Sequence, residues 1–151
     1  MYMHSVLICN ADIIECMANS DNVIRAGLTP KLRDIPNLVN TLTYVAAPAS
    51  HHVVKVQPFQ DTLTSTLYDP PISEFSVVSV ILATSQTEAH GALDGPSIAI
   101  IAGGEGKLEW GGESLDITRG EVVFIGAGTA INISATGNGE QLKIYRAFVV
   151  A

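Results

Sequence analysis

The chain has 151 residues, 47% of them hydrophobic and 15% charged, with a formal net charge of −7. That is enough chain for one domain with a real core, and the composition excludes a disordered polyelectrolyte. Eight scattered Lys and Arg against 15 Asp and Glu argue against a nucleic-acid surface, and no apolar run approaches the roughly 18 residues of a membrane-spanning helix.

The first ten residues carry no Lys or Arg, and their apolar run, 6–9, is too short for a secretory leader, so a cytoplasmic location is the default expectation. Cys9 and Cys16 stand in no C-x-x-C and read as reduced thiols. Residues 6–9 and 13–17 read as short strands around an Asn10-Ala11-Asp12 turn, and Ser20-Asp21-Asn22 as a polar break. Asp34 is placed to cap a helix with Pro36 in its first turn. Ile35, Leu38, Val39 and Leu42 recur at helical spacing, which predicts one short helix in this part of the chain. Residues 46–57 form a connector holding Pro48 and His51-His52.

From residue 62 the pattern changes to period two. Strands are predicted over 75–82, 97–102, 106–110, 114–117, 122–125, 130–134 and 142–150. Turns are predicted at Gly103-Gly104, Gly111-Gly112, Arg119-Gly120, Gly126-Ala127-Gly128 and Gly137-Asn138-Gly139. Short strands at such spacing signal a sandwich or barrel, and a jelly roll closes it with few open edges. Gly103-Gly104-Glu105-Gly106 has no Lys-Ser/Thr after it and reads as a hairpin turn rather than a phosphate loop. Trp110, Tyr68, Phe75, Phe124 and Tyr145 are expected in the core, with a barrel mouth as the other reading. Glu88 and His90 fall on one side of an extended segment, but two donors do not make a metal site. His51 and His52, if extended, point to opposite faces.

The stretch Asp12 to Lys31, with Val23-Ile24-Arg25-Ala26-Gly27-Leu28-Thr29-Pro30-Lys31 at its centre, closely resembles the signature of type I mannose-6-phosphate isomerases. Tyr68-Asp69-Pro70-Pro71-Ile72-Ser73-Glu74-Phe75, Gly95-Pro96-Ser97-Ile98, Gly120-Glu121-Val122-Val123-Phe124-Ile125 and Tyr145-Arg146-Ala147-Phe148 resemble the same family's C-terminal barrel, in collinear order. The resemblance implies a mainly β, cupin-like jelly-roll barrel with one short helix near the N-terminal third. Residues 1–45 would be a remnant of the catalytic cupin and 46–151 the C-terminal barrel, together one compact unit.

Family enzymes are zinc-dependent aldose–ketose isomerases, so the resemblance also implies site residues. Arg25 would stabilise developing negative charge, Glu15 would be an active-site carboxylate, and Lys31 a substrate-binding cation. The residues themselves leave blander readings open. Arg25 could pair with Glu15 or Asp21, Glu15 could be a solvated carboxylate, and Lys31 a surface lysine.

The departures concern the metal. The family reads H-A-Y-L-x-G-D before its aspartate, and its histidine is a zinc ligand. Counting back from Asp12, Val6 stands at the histidine and Ile8 at the tyrosine. His4 is two residues away, a displacement of about 7 Å along a strand. The family's Gln-x-His pair and glutamate have no counterpart in these 151 residues. No zinc site is therefore expected, and no other cofactor.

Three functional expectations follow. The first is a small-molecule-binding or metal-independent isomerase- or cyclase-type derivative. The second is mannose-6-phosphate isomerase activity, with zinc completed by a partner. The third is a non-enzymatic protein-interaction module. Val6, Leu7 and Ile8, apolar where polar ligands are expected, point to packing against another surface, with a homo-oligomer (a homodimer first) as the expected assembly.

Overall fold

The computed structural model describes residues 13–19, 23–25 and 27–149. The chain divides into two units, residues 1–53 and 54–151.

In the first unit, helix α1 spans Ile35–Thr41, with Asp34 as its N-cap and proline in the first turn. Asp34 Oδ1 accepts from the Asn37 backbone N–H at 3.2 Å, which satisfies one of the free donors at the helix start. The predicted strand over 13–17 does not form: those residues carry no strand pairing, and Ile13, Ile14 and Met17 are exposed. A short apolar run makes a strand only where a second strand offers hydrogen bonds. The predicted strand over 6–9 and the Asn10-Ala11-Asp12 turn lie outside the described residues, as does the Ser20-Asp21-Asn22 break. His51 and His52 belong not to an extended segment but to a short 3₁₀ turn over Ala49–His51 and its C-cap, where their rings meet edge-on at 5.1 Å.

The second unit contains two antiparallel sheets in a cupin-like jelly roll. Its strands are β1 (Gln57–Pro58), β2 (Ser65–Tyr68), β3 (Ser76–Leu82), β4 (Thr87–His90), β5 (Ser97–Gly103), β6 (Glu105–Trp110), β7 (Glu113–Thr118), β8 (Val122–Ile125), β9 (Ile131–Ala135) and β10 (Leu142–Phe148). The six-stranded sheet runs β1-β2-β3-β10-β5-β8 and the four-stranded sheet β4-β9-β6-β7. The inward faces carry the apolar half of each alternation: Val78, Val80 and Leu82 on β3, Ala99 and Ile101 on β5, Ile131 and Ile133 on β9, Leu142 and Ile144 on β10.

The turn Gly111-Gly112 closes the β6–β7 hairpin. Trp110 pairs with Glu113, so the loop has two residues, and φ of 52° and 88° is the left-handed pair such a turn needs. Gly103-Gly104 is not the predicted hairpin turn. β5 pairs with β8 and β10 while β6 pairs with β7 and β9, so the chain here crosses from one sheet to the other. A Cβ on Gly104 would lie 2.5 Å from Gln141 O, and one on Gly106 would lie 2.5 Å from Ser134 O and from Leu142 Cδ2. These glycines are required by close backbone approach at a corner. The aromatic residues are also not the core expected of them: Trp110, Tyr68 and Phe124 are exposed and Phe75 and Tyr145 half-buried, the core being aliphatic with Phe59 and Phe148.

Candidate functional sites

Of the three residues implied by the resemblance, Glu15 and Lys31 are exposed and Arg25 is half-buried, all in the first unit. Among the described residues Arg25 and Glu15 form no ion pair with each other. Asp21, the other candidate partner, lies outside the described residues. The Lys31 backbone N–H donates to Thr29 Oγ1 at 3.3 Å, and Arg33 Nη1 donates to Gly27 O at 3.3 Å. These local bonds shape the loop that carries Gly27, with φ of 77°, and leave the Lys31 ammonium in solvent.

Inside the barrel the structure assembles a cluster that sequence reasoning saw only in part. On β4, Glu88 and His90 are two apart and both turn inward. His90 Nε2 lies 2.9 Å from Glu88 Oε1 and 3.0 Å from Ser65 Oγ, while Nδ1 lies 3.4 Å from Arg146 Nη1. Ser65 and Thr64 hydroxyls donate to Glu88, and the Thr64 backbone N–H adds a bond at 3.2 Å. Arg146 Nε donates to Ser97 Oγ at 2.9 Å. Phe59 meets the His90 ring edge-on at 4.9 Å. β4 belongs to one sheet and β2, β5 and β10 to the other, so the cluster ties the β4 edge across the sandwich.

A guanidinium only donates, so His90 Nδ1 accepts and the imidazole proton sits on Nε2, toward Glu88. Burial pushes the His90 pKa down; Glu88 opposes this, Arg146 reinforces it, and the result is a lowered value. Burial alone would raise Glu88, but hydrogen bonds from Ser65, Thr64 and His90 bring its carboxyl below the usual range. Burial lowers Arg146 to about 10, which still leaves it charged at neutral pH. The unit is thus a cation and an anion joined through a neutral imidazole.

This arrangement is not a nucleophilic triad. Ser65 and Glu88 both address Nε2, and Nδ1 is occupied by Arg146, whereas a triad needs the serine and the carboxylate on opposite nitrogens. It does not fit zinc either. It offers two donors, one ring nitrogen faces a cation, and the carboxylate is already saturated with hydroxyl donors. Among the described residues no group of three or more His, Cys, Asp and Glu converges as a metal site. Arg146 was legible in principle: Leu142, Ile144, Arg146 and Phe148 share one phase of β10, and a charge in an inward phase calls for a buried partner.

A cavity of about 180 Å³ lies elsewhere in the barrel, lined by Leu108, Trp110, Val123, Phe124, Ile125, Gly126, Thr129 and Ile131.

The family model for the phosphomannose isomerase type I C-terminal region matches residues 65–113. The chain is 47% identical over 141 residues to the mannose-6-phosphate isomerase of Cryptococcus neoformans, covering 93% of this chain and 32% of that protein. It is 43% identical over 143 residues to that of Schizosaccharomyces pombe, covering 92% and 34%. A crystal structure of a mutant phosphomannose isomerase from Salmonella typhimurium superposes with a TM-score of 0.72 at 30% identity, covering 89% of this chain and 33% of that one. The chain spans about a third of the length of the curated relatives it matches.

Proposed function

We propose that this chain, which belongs to the type I phosphomannose isomerase family, is a zinc-free small-molecule-binding member that takes a sugar phosphate or a related anion at Arg25 and Lys31. Its main support is the similarity to mannose-6-phosphate isomerases across 93% of the chain, a span that takes in the Arg25 and Lys31 segment. An ammonium in solvent and a half-buried guanidinium six residues apart are suited to a phosphate and to charge developing on an adjacent oxygen. Glu15 would carry the proton between neighbouring carbons, as isomerisation or a cyclisation of related type requires. No step runs through a metal, since the donors among the described residues do not fit one.

Calorimetric titration with mannose 6-phosphate and fructose 6-phosphate, with and without chelator, tests this. Chelator-insensitive binding that weakens about tenfold or more in R25A and K31A supports it. Absence of binding by either sugar phosphate overturns it. Sugar-phosphate interconversion followed by NMR then asks whether E15Q slows turnover.

A second reading has its own observation. None of the described residues 13–53 is buried, and Leu28 and Leu32 are almost fully exposed. Such a surface suits a further protein segment, which could complete a zinc centre. Turnover that appears only with zinc and with a full-length relative present would favour that reading over the first.

A further inference from the structure

One edge of the sandwich is closed by the Glu88–His90–Arg146 cluster, whereas the opposite edge is open. There β7 and β8 are the edge strands of their sheets, joined by a tight crossing at Arg119-Gly120. That crossing is pinned to β5, with Gly120 N–H donating to Ile101 O at 2.8 Å and Ile101 N–H to Glu121 O at 3.0 Å. On β6, Gly106, Leu108 and Trp110 share the inward phase, yet Leu108 is 2% exposed and Trp110 36%. On β7, Leu115 and Ile117 share that phase, yet Ile117 is 0% exposed and Leu115 41%. Inward-facing side chains that stay in solvent mark an interior left unfilled.

The space beneath Trp110 is the cavity of about 180 Å³. Buried Leu108, Ile125 and Ile131 and half-buried Val123 form its apolar part. The polar side-chain groups on its lining are the Trp110 indole N–H and the Thr129 hydroxyl, and no lining residue is charged. An engineered apolar cavity of roughly 150 Å³ holds a benzene ring. A site without charge does not compensate a phosphate, so this pocket is distinct in chemistry from Arg25 and Lys31.

We propose that the open end of the barrel is a binding site for a neutral, one-ring ligand, an aromatic or comparably flat apolar molecule bearing a single hydrogen-bonding group. The ring lies against Leu108, Ile125 and Ile131 beneath the Trp110 indole, and the polar group meets Thr129 Oγ1.

Trp110 is the chain's single tryptophan, so intrinsic fluorescence reads this site directly. Titration of the protein with phenol, with cyclohexanol as the non-aromatic arm, is expected to change Trp110 emission saturably, with Kd on the order of 1 mM. Saturation-transfer NMR on the same probes should give the same Kd. Filling the space with V123F or T129F is expected to weaken binding tenfold or more, read on whichever variant keeps the wild-type far-ultraviolet dichroism. No saturable response up to about 10 mM, or unchanged affinity in a folded filled variant, overturns the proposal. Inhibition of phenol binding by mannose 6-phosphate at equal concentration also counts against it, since the two sites differ in charge.

Discussion

Nδ1 of His90 lies 3.4 Å from Nη1 of Arg146, so a buried imidazole presents its lone pair to a buried cation. Through Nε2 the same ring reaches Glu88 Oε1 at 2.9 Å. The arrangement is stable only while the ring is neutral, because a second proton would set imidazolium against guanidinium in a low-dielectric interior.

Stability is expected to fall in acid, in two windows of the same sign. Folded His90 titrates below the ordinary 6.5, so above about 6.5 neither the folded nor the unfolded chain holds that proton, and below it the unfolded chain alone gains one. Folded Glu88 titrates below 4.5, so its contribution is present above that value and is lost as pH falls through the lower folded one. Urea midpoints measured from pH 8 to pH 4 should decline below pH 6.5. In H90Q the decline between about 6.5 and 5 should be absent.

Removing the cation should cost more than removing a surface charge. R146M leaves His90 Nδ1 and Ser97 Oγ without their donor, at about 3 kcal/mol in urea denaturation. R146K keeps the charge but not the planar two-direction donation, and should lose less. The double variant E88Q/R146M should be less destabilised than the sum of its parts, as expected of groups in one network.

Glycine replacements should separate crowding from backbone strain. G111A meets open space but holds φ of 52°, and should cost about 1 kcal/mol. G106A drives a Cβ to 2.5 Å from Ser134 O and Leu142 Cδ2, and should cost about 3 kcal/mol. Equal thermal shifts in the two variants would contradict the sheet-crossing geometry.

Neighbours on β8 should respond in opposite ways. Ile125 is buried and Phe124 is 70% exposed. I125A should destabilise by about 2–4 kcal/mol and F124S by less than about 0.5. The reverse order would place the strand out of register by one residue.

Much of the fold could be read from local patterns. Asp34 with Pro36 and a 3.6-residue apolar stripe predicts α1, and seven of the ten strands follow from alternating or continuous apolar runs. β2 and β4 escaped because Ser65–Tyr68 and Thr87–His90 are half polar, with Ser65, Glu88 and His90 among their inward residues, and β1 because it has two residues. Gly103-Gly104 carries the same turn chemistry whether the chain doubles back or crosses to another sheet. Residues 13–17 are apolar but for Glu15, like a short strand, and pair with none. Glu88 and His90 were legible as one-sided neighbours, since period two is a local property.

The sequence by itself determined the β-rich class, the capped helix and the positions of seven strands. All of these follow from residue types and spacing within a few positions. Only the tertiary structure decided that Arg146, 56 residues along the chain, closes on His90, and that β6, β8 and β9 bound an apolar cavity while β4 is tied down. Strand pairing joins segments far apart in sequence, and its register is set by the packing of the whole interior rather than by any segment alone.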